Sequence, residues 1–207
     1  MRYRSAAALL AVIAYPFSVA AQTGTDNGEW HAYGGDAFHS SYTPLTQIDA
    51  TNASELEIAW RWNARNFGPN PFARTQTTPL MVDGALYATV GMRRSVVAID
   101  AGTGETLWTW RIDEGERLGA APRANSGRGV SYWQDDSGNG RIIVVTPGYQ
   151  MVALDPHSGR QIAGFGEGGI VDLMGQHRSR DGVDMVGSVG ASSPATVAGD
   201  VLVVGSA

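Results

Sequence analysis

Two stretches of this chain repeat one another at a fixed offset of 55 residues, over 98–108 and 153–163. The repeated positions hold an alanine, an aspartate, a glycine and two large apolar side chains. They are Ala98, Asp100, Gly104, Leu107 and Trp110, which return as Ala153, Asp155, Gly159, Ile162 and Phe165. A second set recurs at an offset of 115 residues, close to two of the shorter periods: Pro79, Val82, Gly84 and Leu86 return as Pro194, Val197, Gly199 and Val201. Such a chain is built from copies of one small unit.

The residue pattern of the repeated unit predicts two strands joined by a tight turn. Residues 96–100 predict an apolar strand that ends at Asp100, whose carboxylate can accept hydrogen bonds from the amides ahead of it, while Gly104 provides the backbone freedom of the turn. Residues 105–110 then run back as the next strand. Trp108 and Trp110 lie on one face of that strand, so they can pack across the gap between neighbouring units.

Units of this length with four short strands each are typical of a β-propeller. The 27 glycines, 9 prolines and 6 tryptophans suit many short strands better than helices, so we expect an all-β fold. A strand is predicted over 56–62, and blade-like units over 77–110, 129–165 and, incompletely, 192–207. Because a propeller closes on itself to bury its edges, we expect these blades to be the N-terminal part of a longer propeller. A small four-bladed propeller is the alternative.

The first 21 residues are typical of an export signal. Arg2 and Arg4 form a basic head, residues 5–14 are almost wholly apolar, and 19–21 have the small-x-small pattern of a cleavage site. An uncleaved membrane anchor is the alternative, but the apolar run is shorter than the ~20 residues that span a bilayer and Pro16 interrupts it. We therefore expect residues 22–207 to be exported to the periplasm, with no membrane-spanning segment after the signal.

Charge and residue types exclude several other classes of function. The formal net charge is −5 with no basic block, which argues against nucleic-acid partners. The chain has no cysteine, so it is not an ordinary lipoprotein, and its four histidines have no spacing that suits a transition metal. The Gly-x-Gly-x-x-Gly pattern over 164–169 follows a predicted turn and does not stand at the start of a helix, so we expect a loop and no nucleotide-binding site.

Several motifs occur in order from Trp30 onward, and together they resemble the N-terminal part of the PQQ-dependent dehydrogenases, closer to the glucose-dehydrogenase-like branch. The motifs occupy 30–36, 42–45, 59–62, 76–84 and 126–133. The pattern Ala-x-Asp-x-x-Thr-Gly-x-x-x-Trp over 98–108 is similar to the tryptophan-docking motif of these quinoproteins. The resemblance implies an eight-bladed propeller, of which this chain holds the first blades.

The resemblance also implies the chemistry. These enzymes bind pyrroloquinoline quinone (PQQ) at the centre of the propeller, with Ca²⁺ beside it as a Lewis acid and a carboxylate as general base. The implied substrate is an alcohol or an aldose sugar, and the implied electron acceptor is a quinone or cytochrome c. A propeller without cofactor, serving as a scaffold in outer-membrane protein assembly, is the alternative. Polar residues that face the propeller axis favour the enzyme.

Matching positions give four candidate cofactor-binding residues: Gln76, Arg128, Ser192 and Ser193. Arg128 matches the arginine that points at the quinone oxygens, and Gln76, with a hydroxyl from Thr77 or Thr78, can donate to the cofactor's carboxylates. One of the two serines supplies a further hydroxyl, and which of them does so is left open. The simpler interpretations are a polar residue at a strand start for Gln76 and a surface arginine between two glycines for Arg128.

Two departures from the methanol-dehydrogenase-like branch leave the substrate class open. Gln76 stands where that branch has an acidic residue, and Pro122 with Arg123 stand where it has a cysteine pair. The resemblance implies that the calcium ligands and the catalytic aspartate lie beyond Ala207. No catalytic or metal-binding residue is therefore assigned within this chain.

Overall fold

A computed structural model describes residues 25, 27–36, 38–68, 75–176 and 185–206. The predicted signal segment 1–21 and Ala207 lie outside them. Each of two sheets has four antiparallel strands in chain order, as a propeller blade does. The first sheet contains β1 (Leu80–Val82), β2 (Ala85–Val90), β3 (Ser95–Asp100) and β4 (Thr106–Trp110). The second contains β5 (Ser131–Gln134), β6 (Gly140–Val145), β7 (Gln150–Leu154) and β8 (Ile170–Asp172), and β9 (Thr196–Ala198) with β10 (Val201–Val203) forms a further hairpin.

Helical structure in the described part of the chain is short. The α-helix α1 (Glu116–Ala120) follows β4, and single 3₁₀ turns cover Ala53–Glu55, Arg65–Phe67 and Met174–Gln176. None of the described helices is long and apolar enough to cross a membrane. The prediction of an all-β, blade-like architecture is confirmed.

The hairpins that open the first and third units follow from their turn residues. Val82 pairs with Ala85 across Asp83 and Gly84, which both have positive φ, of 48° and 78°. Such a two-residue turn matches the twist of the flanking strands and favours Asp-Gly. The third unit also has a two-residue turn, between the paired residues Ala198 and Val201, one position later than the offset of 115 residues predicted.

The two sheets share one apolar core. Inward-facing side chains of the first sheet, among them Leu80 and Val96, pack against Ile142, Val144 and Val152 of the second, and all five are almost fully buried. Further side chains of β3 are covered on the opposite face by Trp60 and Trp62. A strand that is buried on both faces needs apolar residues at successive positions, which explains the sequence of β3.

Indole rings join neighbouring units. The indole N–H of Trp108, in β4, donates a 2.7 Å hydrogen bond to the carbonyl of Pro156 in the turn of the second sheet. Trp60 makes the same kind of contact one unit earlier, because its indole N–H donates to the carbonyl of Ala101 at 3.0 Å. The predicted packing of Trp108 across the gap is therefore observed, and Trp108 and Trp110 both pack against the core that the two sheets share.

The predicted strand over 56–62 is wrong. These residues make no ladder with any described strand, and Leu56 and Ile58 are 61% and 64% exposed. Alternation alone does not make a strand, because strand structure needs a neighbour to which the backbone can hydrogen-bond. The indoles of Trp60 and Trp62 hold the segment to the first sheet.

The predicted end of the second unit at Phe165 is also wrong. Gln161 makes a single bridge to Leu154, and the N–H of Ile162 donates to the carbonyl of Ala153 at 2.9 Å. The chain then leaves the sheet, and β8 begins only at Ile170. Two backbone hydrogen bonds between Glu167 and Ile170 close a tight turn within this segment. The Gly-x-Gly-x-x-Gly spelling therefore lies in a loop, as predicted, and that loop displaces the outer strand.

Candidate functional site

The innermost strands of the three units, β1, β5 and β9, are preceded by segments that hydrogen-bond to one another. The N–H of Thr78 donates to the carbonyl of Arg128 at 3.0 Å, and the N–H of Arg128 donates to the carbonyl of Ser192 at 2.8 Å. We call Thr78, Arg128 and Ser192 the inner row. It brings predicted cofactor-binding positions of three separate units to one end of the inner strands.

A cavity of about 480 Å³ lies beside the inner row. Arg128 and Ser193 both line it, together with Tyr132 and Thr196. Ser131 of β5 lines it as well, and four further polar lining residues come from the segment that precedes the first unit: His31, Tyr33, Asp36 and His39. The cavity lining therefore combines an arginine with hydroxyl-bearing residues, histidines and an aspartate.

The structure separates the two candidate serines. Ser192 contributes its carbonyl to the inner row, whereas Ser193 is the one that lines the cavity. Of these two residues, Ser193 is therefore the one placed to offer a hydroxyl to a ligand in this cavity.

Gln76 and Thr77 do not line this cavity. The backbone N–H of Gln76 lies 3.4 Å from the Ser126 hydroxyl, and the Gln76 side chain is exposed. The Thr77 hydroxyl accepts a hydrogen bond from the backbone N–H of Thr89 at 3.1 Å and lies 3.2 Å from its hydroxyl. Thr77 is thus engaged within the first sheet, and Gln76 lies in the segment before β1, beside the loop that carries Ser126 and Arg128.

The cavity residues of the N-terminal segment were not singled out from the sequence. Backbone hydrogen bonds of 2.8 and 3.1 Å between Trp30 and Met81 hold this segment against β1. The imidazole of His31 then lies 2.9 Å from a carboxylate oxygen of Glu29, and its ring centroid is 4.9 Å from that of Tyr132. A pairing between residues 51 positions apart leaves no local signal in the sequence.

Opposite charges face the cavity. The Asp36 carboxylate accepts hydrogen bonds from the backbone N–H groups of Ser40 and Phe38, and those from Ser40 are the main cause of its lowered pKa. Burial, helped by the charges of Asp83 and Glu29, raises the pKa of Tyr132, so that its phenol stays neutral. Arg128 is the cation in this lining, because a guanidinium does not lose its proton at neutral pH.

No group of three or more histidine, aspartate or glutamate side chains within the described residues is arranged to hold a metal ion. The cavity thus combines the Arg128 cation, the Asp36 carboxylate and several hydroxyl groups. Arg128 and the hydroxyl groups can donate hydrogen bonds to the oxygens of an anionic ligand.

The catalytic base and the calcium ligands were predicted to lie beyond Ala207, the last residue of the sequence. The described residues end at Ser206, so Ala207 itself and the predicted positions after it lie outside the structure. Neither group is therefore assigned to a residue of this chain, and their place beyond Ala207 stays a prediction.

Comparison with known proteins decides the family. Residues 30–207 match the family described as PQQ, glucose/ethanol/alcohol dehydrogenase, β-propeller domain. The chain belongs to this family of PQQ-dependent dehydrogenase propellers. The resemblance predicted from the sequence motifs is confirmed over the same residues.

Its relatives are dehydrogenases named for several different substrates. The chain is 30% identical to the glycerol dehydrogenase large subunit of Gluconobacter oxydans (strain 621H) over 188 residues, which cover 86% of this chain and 24% of that protein. It is 29% identical to the quinoprotein glucose dehydrogenase of the same organism, over 70% of this chain and 20% of that protein. The chain therefore spans about a quarter of the length of the curated relatives it matches.

Solved structures show the same fold. The quinohemoprotein alcohol dehydrogenase of Comamonas testosteroni superposes with a TM-score of 0.67 at 21% identity, over 90% of this chain and 24% of that one. A europium-containing methanol dehydrogenase superposes with a TM-score of 0.62 at 20% identity, over 87% and 27%. Relatives named for glucose and for alcohols both match, so the assignment to the glucose-dehydrogenase-like branch stays a prediction.

Proposed function

We propose that the whole protein to which this chain belongs is a periplasmic, PQQ-dependent dehydrogenase that oxidises an alcohol or an aldose sugar. The observation that carries the proposal is the position of Arg128. Its backbone is fixed in the inner row, and Arg128 lines a cavity that Ser193 also lines. The family match over 30–207 supports PQQ as the ligand of such a site.

The residues present fit this cofactor. PQQ is a flat ortho-quinone with three carboxylates, and Arg128 and Ser193 offer a cation and a hydroxyl to such oxygens. We infer that these two residues hold it and that Gln76 contributes from the segment beside the loop of Ser126 and Arg128. When bound, PQQ accepts hydride from the substrate carbon, with Ca²⁺ as Lewis acid, and passes electrons to a quinone or cytochrome c.

Arg128 has two tasks in this proposal. Its guanidinium orients the ligand by donating to oxygen atoms, and its permanent charge favours the form in which those oxygens carry more negative charge. Both its N–H and its carbonyl are hydrogen-bonded in the inner row, so the side chain starts from a fixed point. A donor that is positioned in advance gives more stabilisation than one that must be ordered during the reaction.

Calcium, export and the general base complete the proposal for the whole protein. We propose that the calcium ligands and the catalytic aspartate lie beyond Ala207 and that residues 1–21 are the export signal.

The other candidate function, a cofactor-free scaffold in outer-membrane protein assembly, needs no cation in the lining of a cavity beside the inner strands. The position of Arg128 therefore favours the enzyme.

The test is to replace Arg128 in the whole protein, loaded with PQQ and Ca²⁺. We expect Arg128→Ala to lower the turnover of dye reduction on the order of a hundredfold at full PQQ occupancy. Arg128→Lys should recover only part of it, because lysine keeps the charge and loses the planar fork. The melting temperature should change little, since the side chain is exposed.

Arg160→Ala is the matched control. Arg160 is also exposed, but it follows β7 at the opposite end of the second sheet. Near wild-type turnover of Arg128→Ala at full occupancy would place Arg128 away from the reacting oxygens. If the wild-type protein neither binds PQQ nor reduces dye with any alcohol or sugar, the proposed enzyme activity is overturned in favour of the scaffold function.

A further inference from the structure

Arg94 is a buried cation. Within the described residues, the acceptors assigned to its guanidinium are all main-chain carbonyl oxygens. Arg94 lies in the turn between β2 and β3 with a φ of 51° and is 2% exposed. Its guanidinium donates to four carbonyls, at 2.7 Å to Val145, 2.7 Å to Ala191, 2.9 Å to Arg123 and 3.2 Å to Asn125. One side chain of the first unit thus reaches both of the units that follow.

Three of the four acceptors lie in segments that lead to cavity residues. Arg123 and Asn125 belong to the loop that leads to Arg128. Ala191 directly precedes Ser192, which accepts the hydrogen bond of the Arg128 N–H. Arg94 therefore contacts the two segments that lead to Arg128 and to Ser193.

The loop before Arg128 is shaped around the Arg94 side chain. A Cβ on Gly127 would lie 2.7 Å from Nε and 3.0 Å from Cδ of Arg94, so only glycine leaves room for the guanidinium. The N–H of Gly127 is held in turn by the side-chain oxygen of Asn125 at 2.8 Å. The backbone that enters Arg128 thus packs directly against Arg94.

Arginine is the side chain that this position requires. Burial lowers the pKa of Arg94 to about 10, and the nearby Glu114 carboxylate favours the charged form, so the group remains a cation at neutral pH. Its planar fork distributes donors over a wide arc, whereas a lysine ammonium concentrates three donors on one atom. Lysine cannot hold these four separated carbonyls together.

We propose that Arg94 is a positioning residue for the cavity, which fixes the loop before Arg128 and the segment before Ser193 relative to each other. The contacts stand independently of any ligand, while the chemical consequence rests on the proposed function. Misplacement of a catalytic group by about 1 Å can lower a rate on the order of a hundredfold. A residue outside the cavity can therefore control how well Arg128 works.

The first test uses hydrogen exchange on the whole protein without PQQ. In Arg94→Lys we expect amides in 124–129 and 192–193 to exchange about tenfold faster or more, with exchange in β3 and β7 unchanged. Arg93→Lys is the matched control, because Arg93 is adjacent and exposed and undergoes the same substitution. Unchanged exchange in the two segments, or an equal increase throughout both sheets, would overturn the positioning role.

The second test uses the loaded enzyme. We expect Arg94→Lys to raise the Kd for PQQ about tenfold, and to lower kcat at saturating PQQ while the KM for substrate stays the same. A purely structural role would lower the melting temperature and leave the Kd and kcat of the folded fraction unchanged. Failure of the wild type to bind PQQ would count against the proposed function alone, since the exchange experiment still decides the role of Arg94.

Gly127→Ala gives an independent variant if Arg94→Lys does not fold. The added methyl group would displace the guanidinium, so the same two segments should exchange faster. Gly84→Ala is its control, because Gly84 also has a positive φ and a Cβ there would meet nothing within 4 Å. Equal exchange profiles in the two glycine variants would overturn the proposal.

Discussion

The indole ring of Trp108 occupies the space that a side chain on Gly159 would need. A Cβ at Gly159 would fall 2.5 Å from Cδ2 and Cε3 of that ring. Gly104 has the same relationship to Trp60 one unit earlier, because a Cβ at Gly104 would lie 2.6 Å from Cδ2 of the Trp60 ring. The glycine in each repeated turn is thus the surface on which the tryptophan of the preceding unit packs.

Gly159→Ala should therefore destabilise the protein by more than its backbone conformation alone explains. Its φ of 66° costs an alanine about 1 kcal/mol, and the overlap with Trp108 adds roughly 1–3 kcal/mol. Gly84→Ala, at a φ of 78° in open space, should show only the first effect. Urea unfolding of both variants measures the difference, and equal losses would show that the ring yields without cost.

Loss of both donors to the Pro156 carbonyl should be more than additive. This oxygen accepts from the Trp108 indole at 2.7 Å and from the Tyr87 hydroxyl at 3.2 Å. In Tyr87→Phe or Trp108→Phe one donor remains, whereas the double variant leaves a buried carbonyl unpaired at a further cost of about 1–3 kcal/mol. A double-mutant cycle in urea measures this coupling, and simple additivity would mean that water replaces the donors.

Tyr87 should make the protein less stable in alkali. Burial, with smaller effects from nearby carboxylates, raises the pKa of Tyr87 to about 12, above the ordinary value of 10.0. The contribution of Tyr87 to the free energy of unfolding is therefore fully present below pH 10 and is lost as the pH rises through 12. The melting temperature of Tyr87→Phe should fall less steeply over this range, and parallel curves for the two proteins would contradict the assignment.

Asp172 should contribute to stability except in strong acid. Arg117 donates to both of its carboxylate oxygens, at 2.8 and 3.1 Å, and these hydrogen bonds are the main cause of its lowered pKa. The contribution of Asp172 to the free energy of unfolding is therefore present above pH 3.8, the ordinary pKa of an aspartate, and is lost as the pH falls below that value. Asp172→Asn should cost up to about 1 kcal/mol at pH 7, because the pair is partly exposed, and less as the pH falls below 3.8.

Asp136→Asn is the control for that experiment, since it removes the charge of an exposed aspartate from the same sheet's hairpin. Melting temperatures between pH 2 and 7 would be compared for the three proteins. A constant difference between Asp172→Asn and the wild type across this range would show that the ion pair does not depend on the charge of Asp172.

Local chemistry made much of the fold predictable. Asp100 and Asp155 accept hydrogen bonds from the turn that follows them, as their spacing suggested. The offset of 115 residues identified equivalent hairpins because the turn residues of each, such as Gly84, are determined by backbone geometry. The positions of Arg128 and of the serines came from the family resemblance and not from any periodic pattern.

Features that depend on distant neighbours were not predictable. Residues 56–62 alternate like a strand, yet their backbone pairs with no described strand. The cavity depends on the pairing of Trp30 with Met81, which brings His31 to Tyr132. Arg94 had no local signal either, because its acceptors are backbone atoms up to 97 positions away.

The loop over 162–169 bears on how a repeated protein changes length during evolution. It interrupts the outermost strand of the second sheet, yet β5, β6 and β7 keep a regular pairing. An outermost strand has a neighbour on one side only, so additional residues there leave the sheet as a surface loop. Insertions at the rim can thus diversify the outer surface of such a protein while Arg94 and Arg128 keep their contacts near the inner strands.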